Sequence, residues 1–293
     1  MAYIKKDGFD FLCDINGNAE YFVLKGISLN EELEYIKRNQ VISIYLTYSD
    51  SKAVKNLDFL KEINFIEKIN LNELEIDYSG LYALKNLKYA ILSVKSKKQH
   101  LDYARFKNLE YLSVDWYEPF PNLQNNTNLK CLVIWKFRPK SKSFINLELP
   151  EFLNSLEITE SNITDLSGLS LTNLKKFEAH YCNSIQSLSG LENFGSNLEI
   201  IILDHCKKVD NFKAILSCSK LRKLILGNCG KIDSIAWIRT LLDLQFFSFY
   251  NTEVEDGDVS VCIGLDYVSF KNKKHYSHTI EKIRELNNQQ KGC

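Results

Sequence analysis

The chain has 293 residues, 45% of them apolar and 25% charged, with 37 Lys+Arg balanced by 37 Asp+Glu. Such a composition belongs to a folded globular protein, and a formal net charge of zero argues against nucleic acid as the main target, which normally demands a basic face. No stretch reaches the ~18 apolar residues of a membrane span. Residues 1–8 carry no apolar run after Lys5 and Lys6 and do not read as a secretory signal. The expected setting is therefore the cytoplasm, with the eight cysteines as reduced thiols.

In chain order, Phe9–Leu12 and Tyr21–Leu24 flank Asn16-Gly17-Asn18, a hairpin signal. Ser28-Leu29-Asn30-Glu31 reads as a capping box ahead of Leu33, Tyr35 and Ile36 and predicts a helix over 29–38. Residues 1–40 are expected to form an N-terminal cap.

From residue 41 onward the chain repeats. Leu198-Glu199-Ile200-Ile201-Ile202-Leu203 returns as Leu221-Arg222-Lys223-Leu224-Ile225-Leu226 and as Leu244-Gln245-Phe246-Phe247-Ser248-Phe249, each block starting 23 residues after the last. The form is L-x-x-L-x-L. Further copies start at Leu87, Leu109, Leu129, Leu153, Leu174 and Leu265, and weaker ones at Val41 and Ile66, which makes about eleven turns. In each copy the alternating apolar positions form a short strand. A second apolar group, such as Ile163, Leu166 and Leu169, turns the chain back along the outside. One turn cannot bury these side chains alone, so neighbours stack and their strands form a parallel sheet.

This pattern resembles the leucine-rich repeat family over roughly residues 41–272, and Asn162–Leu174 is similar to the short repeats of bacterial internalins and eukaryotic phosphatase regulators. The resemblance implies an α/β fold: a curved horseshoe solenoid with the parallel sheet on its concave face and 3₁₀ or short helices on its convex face. It also implies a protein-binding role, since the family is mostly a set of protein-binding scaffolds. Internalins are secreted and often wall-anchored; no signal or anchor motif is read in this sequence, so an adhesin role is not expected. Ser277–Leu286 predicts an amphipathic helix with Ile280, Ile283 and Leu286 on one face, so residues 273–293 are expected to close the array, with a frayed Asn/Gln-rich tail. The basic stretches 95–98 and 138–142 read as solvated loops, or alternatively as a patch for an acidic partner.

Cys182, Cys206 and Cys229 stand at equivalent positions in three adjacent turns. In leucine-rich repeats this position often holds Asn, with Cys in one subclass, and its side chain points inward. Stacked inward ligands do not make a tetrahedron, so buried structural thiols are expected and no metal or other cofactor. The concave face is expected to be lined by the residue between the paired apolar positions and the two after them. These give Ser113, Asp115 and Trp116; Val133, Trp135 and Lys136; Glu157, Thr159 and Glu160; Glu178, His180 and Tyr181; Ile202, Asp204 and His205; Ile225, Gly227 and Asn228; Ser248, Tyr250 and Asn251.

The middle of this strip reads as aromatic, acidic and poor in lysine, the profile of a binding hot spot. The candidate contact residues are Trp116, Trp135, Glu157, Glu178, His180, Tyr181, Asp204, His205 and Tyr250. The plainer alternative is that Trp116 and Trp135 merely cover neighbouring repeats. His180, Asp204 and His205 admit a metal or acid-base reading, but the sequence offers no nucleophile with an oriented base and no phosphate-binding glycine motif. The expected function is a monomeric, non-catalytic module that binds a protein partner bearing a basic patch. A dedicated inhibitor of immunity or antitoxin type is the second reading, and a metal-binding or enzymatic protein built on the Cys/His cluster the third.

Overall fold

The computed structural model describes residues 2–16, 18–94, 101–118, 120 and 123–291. The basic stretch 95–98 lies outside them. The chain divides into two compact units, Met1–Leu132 with Glu148–Pro150, and Val133–Leu147 with Glu151–Cys293.

The first unit begins with three antiparallel strands, β1 (Tyr3–Lys6), β2 (Phe9–Cys13) and β3 (Ala19–Val23). The hairpin β2–β3 stands where the sequence placed it. Strand β1 went unforeseen because its side chains are all exposed and carry no alternation. Its signal was the turn instead: Asp7 and Gly8 both take positive φ, +53° and +86°, the pattern of a two-residue Asp-Gly hairpin loop. Phe9, Phe11 and Phe22 pack against Tyr35 of helix α1 (Leu29–Arg38), which buries Leu33, Tyr35 and Ile36 as the sequence predicted.

The capping box does not form. Ser28 makes no side-chain cap. The carboxylate of Glu32, only 5% exposed, instead accepts the backbone N–H groups of Lys25 (3.0 Å) and Gly26 (2.8 Å) and fixes the approach to the helix. Strand β3 then pairs in parallel with β4 (Ser43–Thr47), and β5 (Lys68–Leu74), β6 (Tyr89–Val94) and β7 (Tyr111–Asp115) come next in order. Their inward residues stack in register: Ile44, Ile69, Ala90 and Leu112 form one buried row. Short 3₁₀ helices at Asp58–Lys61, Ser79–Ala83 and Tyr103–Arg105 carry the return segments.

The division between the units falls inside β8 (Cys131–Trp135). In the second unit β9 (Ser155–Thr159), β10 (Lys176–His180), β11 (Ile200–Asp204) and β12 (Lys223–Gly227) are successive parallel neighbours. A short strand, β13 (Gly230–Ile232), succeeds β12, then β14 (Phe246–Ser248), β15 (Thr252–Val254) and β16 (Tyr267–Ser269). Strands β14 and β16 continue the main sheet; β13 and β15 pair with each other behind it. Leu156, Phe177, Ile201, Leu224, Phe247 and Val268 make a continuous buried row. Each such side chain removed from water contributes roughly 1.5–3 kcal/mol, which offsets the entropy of ordering the chain. Return segments again use 3₁₀ turns, as at Phe212–Ser217 and Ala236–Thr240.

Eleven described strands of the main sheet, β4 through β12 with β14 and β16, each begin two residues after a repeat start read from the sequence. Helix α2 (Ile280–Lys291) buries Ile280 and Ile283. The expected frayed tail is corrected: Asn287 is 6% exposed and tied into the preceding turn, so the helix runs past Leu286.

Candidate binding surface

The strands of the second unit place three rows of side chains on the solvent side of the sheet, from their first, third and fifth residues. A fourth row stands just past each strand end. At that position Lys136, Glu160, Tyr181, His205, Asn228 and Asn251 all take left-handed backbone, with φ between +51° and +57°. A left-handed non-glycine residue costs about 1–2 kcal/mol. The geometry persists because each N–H then reaches across to the next turn: Glu160 to the His180 carbonyl, Tyr181 to Asp204 and His205 to Gly227, all at 2.9 Å, and Asn228 to Tyr250 at 3.0 Å. The side chains are thereby turned outward. Tyr181 is 52% exposed, with its ring stacked on His205 at 4.4 Å.

The next residue in each turn points inward and ties the turns together. Ser161, Cys182, Cys206, Cys229 and Thr252 form this row. The hydroxyls of Ser161 and Thr252 donate to Phe137 O (2.6 Å) and Leu226 O (2.7 Å), and the thiol of Cys229 donates to Leu203 O (3.3 Å). The three cysteines are fully buried, as expected from sequence. The row is longer than the cysteines alone suggested, since Ser161 and Thr252 do the same work at either end.

On the outward side the structure assembles two polar groups. In the first, Glu157 of β9 faces Glu178 of β10, and His180 lies two residues on from Glu178. Nε2 of His180 is 3.1 Å from Glu178 Oε2, and Lys176 Nζ ion-pairs with Glu178 Oε1. Burial pushes the Glu157 carboxyl up, helped by the neighbouring Glu178 charge. Burial opposes ionisation of Glu178 too, but the contacts with His180 and Lys176 outweigh it and hold that carboxyl below its usual range. The hydrogen bond to Glu178 in turn raises His180.

The second group centres on Asp204. Asn228 Nδ2 (2.8 Å) and the Tyr250 hydroxyl (3.1 Å) both donate to Asp204 Oδ1. His205 Nδ1 lies 3.1 Å from Asp204 Oδ2. Burial works against the Asp204 charge, and these donors together still hold the carboxyl below its ordinary range. In the His180, Asp204 and His205 group, which admitted a metal or acid-base reading, each histidine is turned to its own carboxylate, His180 to Glu178 and His205 to Asp204.

Two sequence expectations need correction. The third-row residues are more shielded than an alternating strand suggests: Ser113, Val133, Glu178 and Ser248 are all at most 8% exposed, and Thr159 of the fifth row is 3% exposed. Strands about 4.8 Å apart leave little room between stacked rows, so larger neighbours close over the middle position. The strip is also not poor in lysine. The first strand residue shares the face, outside the three positions expected to line it, and it supplies Lys176 and Lys223, the latter 4.7 Å over the Phe246 ring. Trp116 stacks on Phe120 at 4.7 Å and is half-buried in the first unit. Trp135 (41%), Tyr181 and Tyr250 (39%) are exposed on the second unit's strip, and so is Tyr267 (45%) in the first row, stacked on Phe246.

Beside Tyr181 an open hollow of about 700 Å³ is lined by Arg138, Glu160, Asn162, Asn183 and Ser184. Arg138 of the second basic stretch donates from Nε to Glu160 O (3.3 Å) at its rim. No helix among the described residues is long and apolar enough to cross a membrane.

No protein-family model matches the chain, and no curated protein matches it. Among solved structures it is similar to InlF, an internalin from Listeria monocytogenes, at 17% identity over 79% of this chain and 75% of that one, with a TM-score of 0.54. It is also similar to the functional domain of InlJ from Listeria monocytogenes, which includes a cysteine ladder (15% identity, 78% of this chain, 61% of that one, TM-score 0.46). A third similar structure is the leucine-rich repeat domain of the type III effector XopL (16% identity, 64% of this chain, 74% of that one, TM-score 0.42). The first likeness establishes the fold: the chain is an α/β leucine-rich repeat solenoid.

Proposed function

We propose that the chain is a protein-recognition module that takes its partner on the solvent side of the sheet. The observation that carries this reading is the fourth row. Tyr181 and His205 are held outward by left-handed backbone locked to the next turn, and Tyr250 stands beside them, tied to Asp204. Aromatic groups fixed before contact lose little entropy on docking, and exposed tyrosines are the side chains that anchor interfaces.

The charge preference is narrower than sequence suggested. Lys176 and His180 offset Glu178, which leaves Glu157, Glu160 and Asp204 to favour cationic groups on a partner through complementarity. The hollow beside Tyr181 gives such a partner a place to insert a side chain.

The test is affinity capture from the source cells, comparing the parent chain with a folded Tyr181→Ala/Tyr250→Ala/Asp204→Lys chain. A protein retained by the parent and lost from the variant supports the surface. Equal retention of every captured protein rejects it.

A further inference from the structure

We propose that Glu157, Glu178 and His180 form a binding site for a first-row divalent metal ion such as zinc. One ligand atom from each lies within 4.8 Å of the others. The arrangement is a product of the sheet: two positions on one strand, i and i+2, and the cross-strand neighbour of the first all face the same way. Such a set occupies one side of an ion and leaves its other positions open toward solvent, the arrangement of a three-ligand site.

Ligands about 2.0–2.2 Å from one ion stand roughly 3–3.5 Å apart, so side-chain rotations of about an ångström close the site. Two carboxylates and one imidazole suit zinc or manganese better than calcium or magnesium. Cys182 and the other inward thiols take no part, because they lie on the opposite side of the sheet.

A second observation points to the same place. Thr159 pairs across the strands with His180 and shares the Glu157 face of β9. It is 3% exposed, and its Oγ1 makes no well-formed hydrogen bond, with the Glu157 carboxylate an acceptor within its reach. A buried hydroxyl without a partner is costly. Drawing the Glu157 carboxylate onto an ion reorients it beside this hydroxyl, which then donates to a metal-bound oxygen, the outer-shell contact typical of metal sites. The competitor is Lys176, whose ammonium holds Glu178 in the metal-free arrangement.

The experiment uses the full chain, freed of metal by a chelator and titrated with Co²⁺ at mildly alkaline pH. One equivalent of cobalt should develop weak visible bands without a thiolate charge-transfer band, and zinc should displace it. Glu157→Gln and His180→Ala should each weaken binding about tenfold or more. Lys176→Met should tighten it, because the competing ammonium is gone. Absence of a cobalt spectrum in the parent, a thiolate band, or equal affinity in the folded Glu157→Gln and His180→Ala chains would overturn the proposal. Should those two variants fail to melt cooperatively, Lys176→Met decides: tighter binding supports the site, and unchanged or weaker binding overturns it.

Discussion

The hydroxyl of Tyr250 reaches Asp204 Oδ1 at 3.1 Å across an entire intervening turn, 46 residues back in sequence. It passes over Gly227, where a Cβ would lie 2.3 Å from Tyr250 Cζ. The backbone of Gly227 does not need glycine; the Tyr250 ring does. A missing side chain in one turn thus lets the next turn bond the previous one, and it fixes an exposed aromatic group on the proposed binding surface.

Gly227→Ala should therefore push the ring off Asp204. The stability cost should be near the low end for overpacking, about 1 kcal/mol, because the ring tip lies at the surface and can swing out. Burial and the Asp204 contact push the Tyr250 phenol up to about 12, and the substitution should return it toward 10. An NMR titration of ring-labelled tyrosine reads this directly. A Tyr250 value still near 12 in the variant would refute the contact.

Asp204 gives a pH dependence of definite sign. Its carboxyl is held below the ordinary 3.8 in the folded chain. The stability it contributes is therefore full above that unfolded value and disappears as the pH falls through the lowered folded one. The gap in unfolding free energy between the parent and Asp204→Asn should be on the order of 1–3 kcal/mol near neutrality. It should shrink as pH drops below 3.8. Denaturant titrations at stepped pH measure it, and a gap that widens toward acid would contradict the assignment.

The same contacts show what sequence could reveal. Strand positions were readable because Leu198, Leu221 and Leu244 and their counterparts mark each turn through burial, which forces a periodic choice of residue. The left-handed row was not readable: Tyr181 and Glu160 are ordinary side chains there, and the strain is met by a hydrogen bond to the next turn rather than by glycine. Lys176 lies outside the positions that the repeat marks as face-lining, because it precedes the central apolar residue of its strand and does not come after it. The split of His180 from His205 could not be foreseen, since cross-strand register shows which residues are neighbours but not which partner a rotamer selects.

The buried thiols make a labelling prediction. Burial pushes Cys229 and Cys262 up to about 12 and Cys218 to about 11, and Cys206 is held well above its usual range by its contact with Cys182 and by burial. Protonated, buried thiols are poor nucleophiles. Among the cysteines of the described residues, alkylation of the native chain should modify half-buried Cys131 first and leave Cys206, Cys218, Cys229 and Cys262 slower by on the order of a thousandfold, the population of open states in a stable domain. Peptide mass spectrometry after timed quenching resolves each site. Cys229 reacting as fast as Cys131 would show that the inward row is open.

Asn287 should prove the anchor of the closing helix. Its side chain accepts from the Gly264 N–H at 2.7 Å and donates to Leu265 O at 2.9 Å and Cys262 O at 3.3 Å. All three partners belong to the turn against which α2 packs. Asn287→Ala strips them together and leaves shielded backbone groups without partners, so the loss should reach about 2–3 kcal/mol, well beyond that of an exposed substitution. Leu286→Ala, at a half-buried position, supplies the comparison: if apolar contact dominates helix docking, it will cost more than Asn287→Ala, and if the polar anchor dominates, the order reverses. We expect the second order, since one amide satisfies three backbone groups while Leu286 is only partly covered. Equilibrium denaturation gives the ranking, and amide exchange in 280–291 shows whether the helix itself has been released.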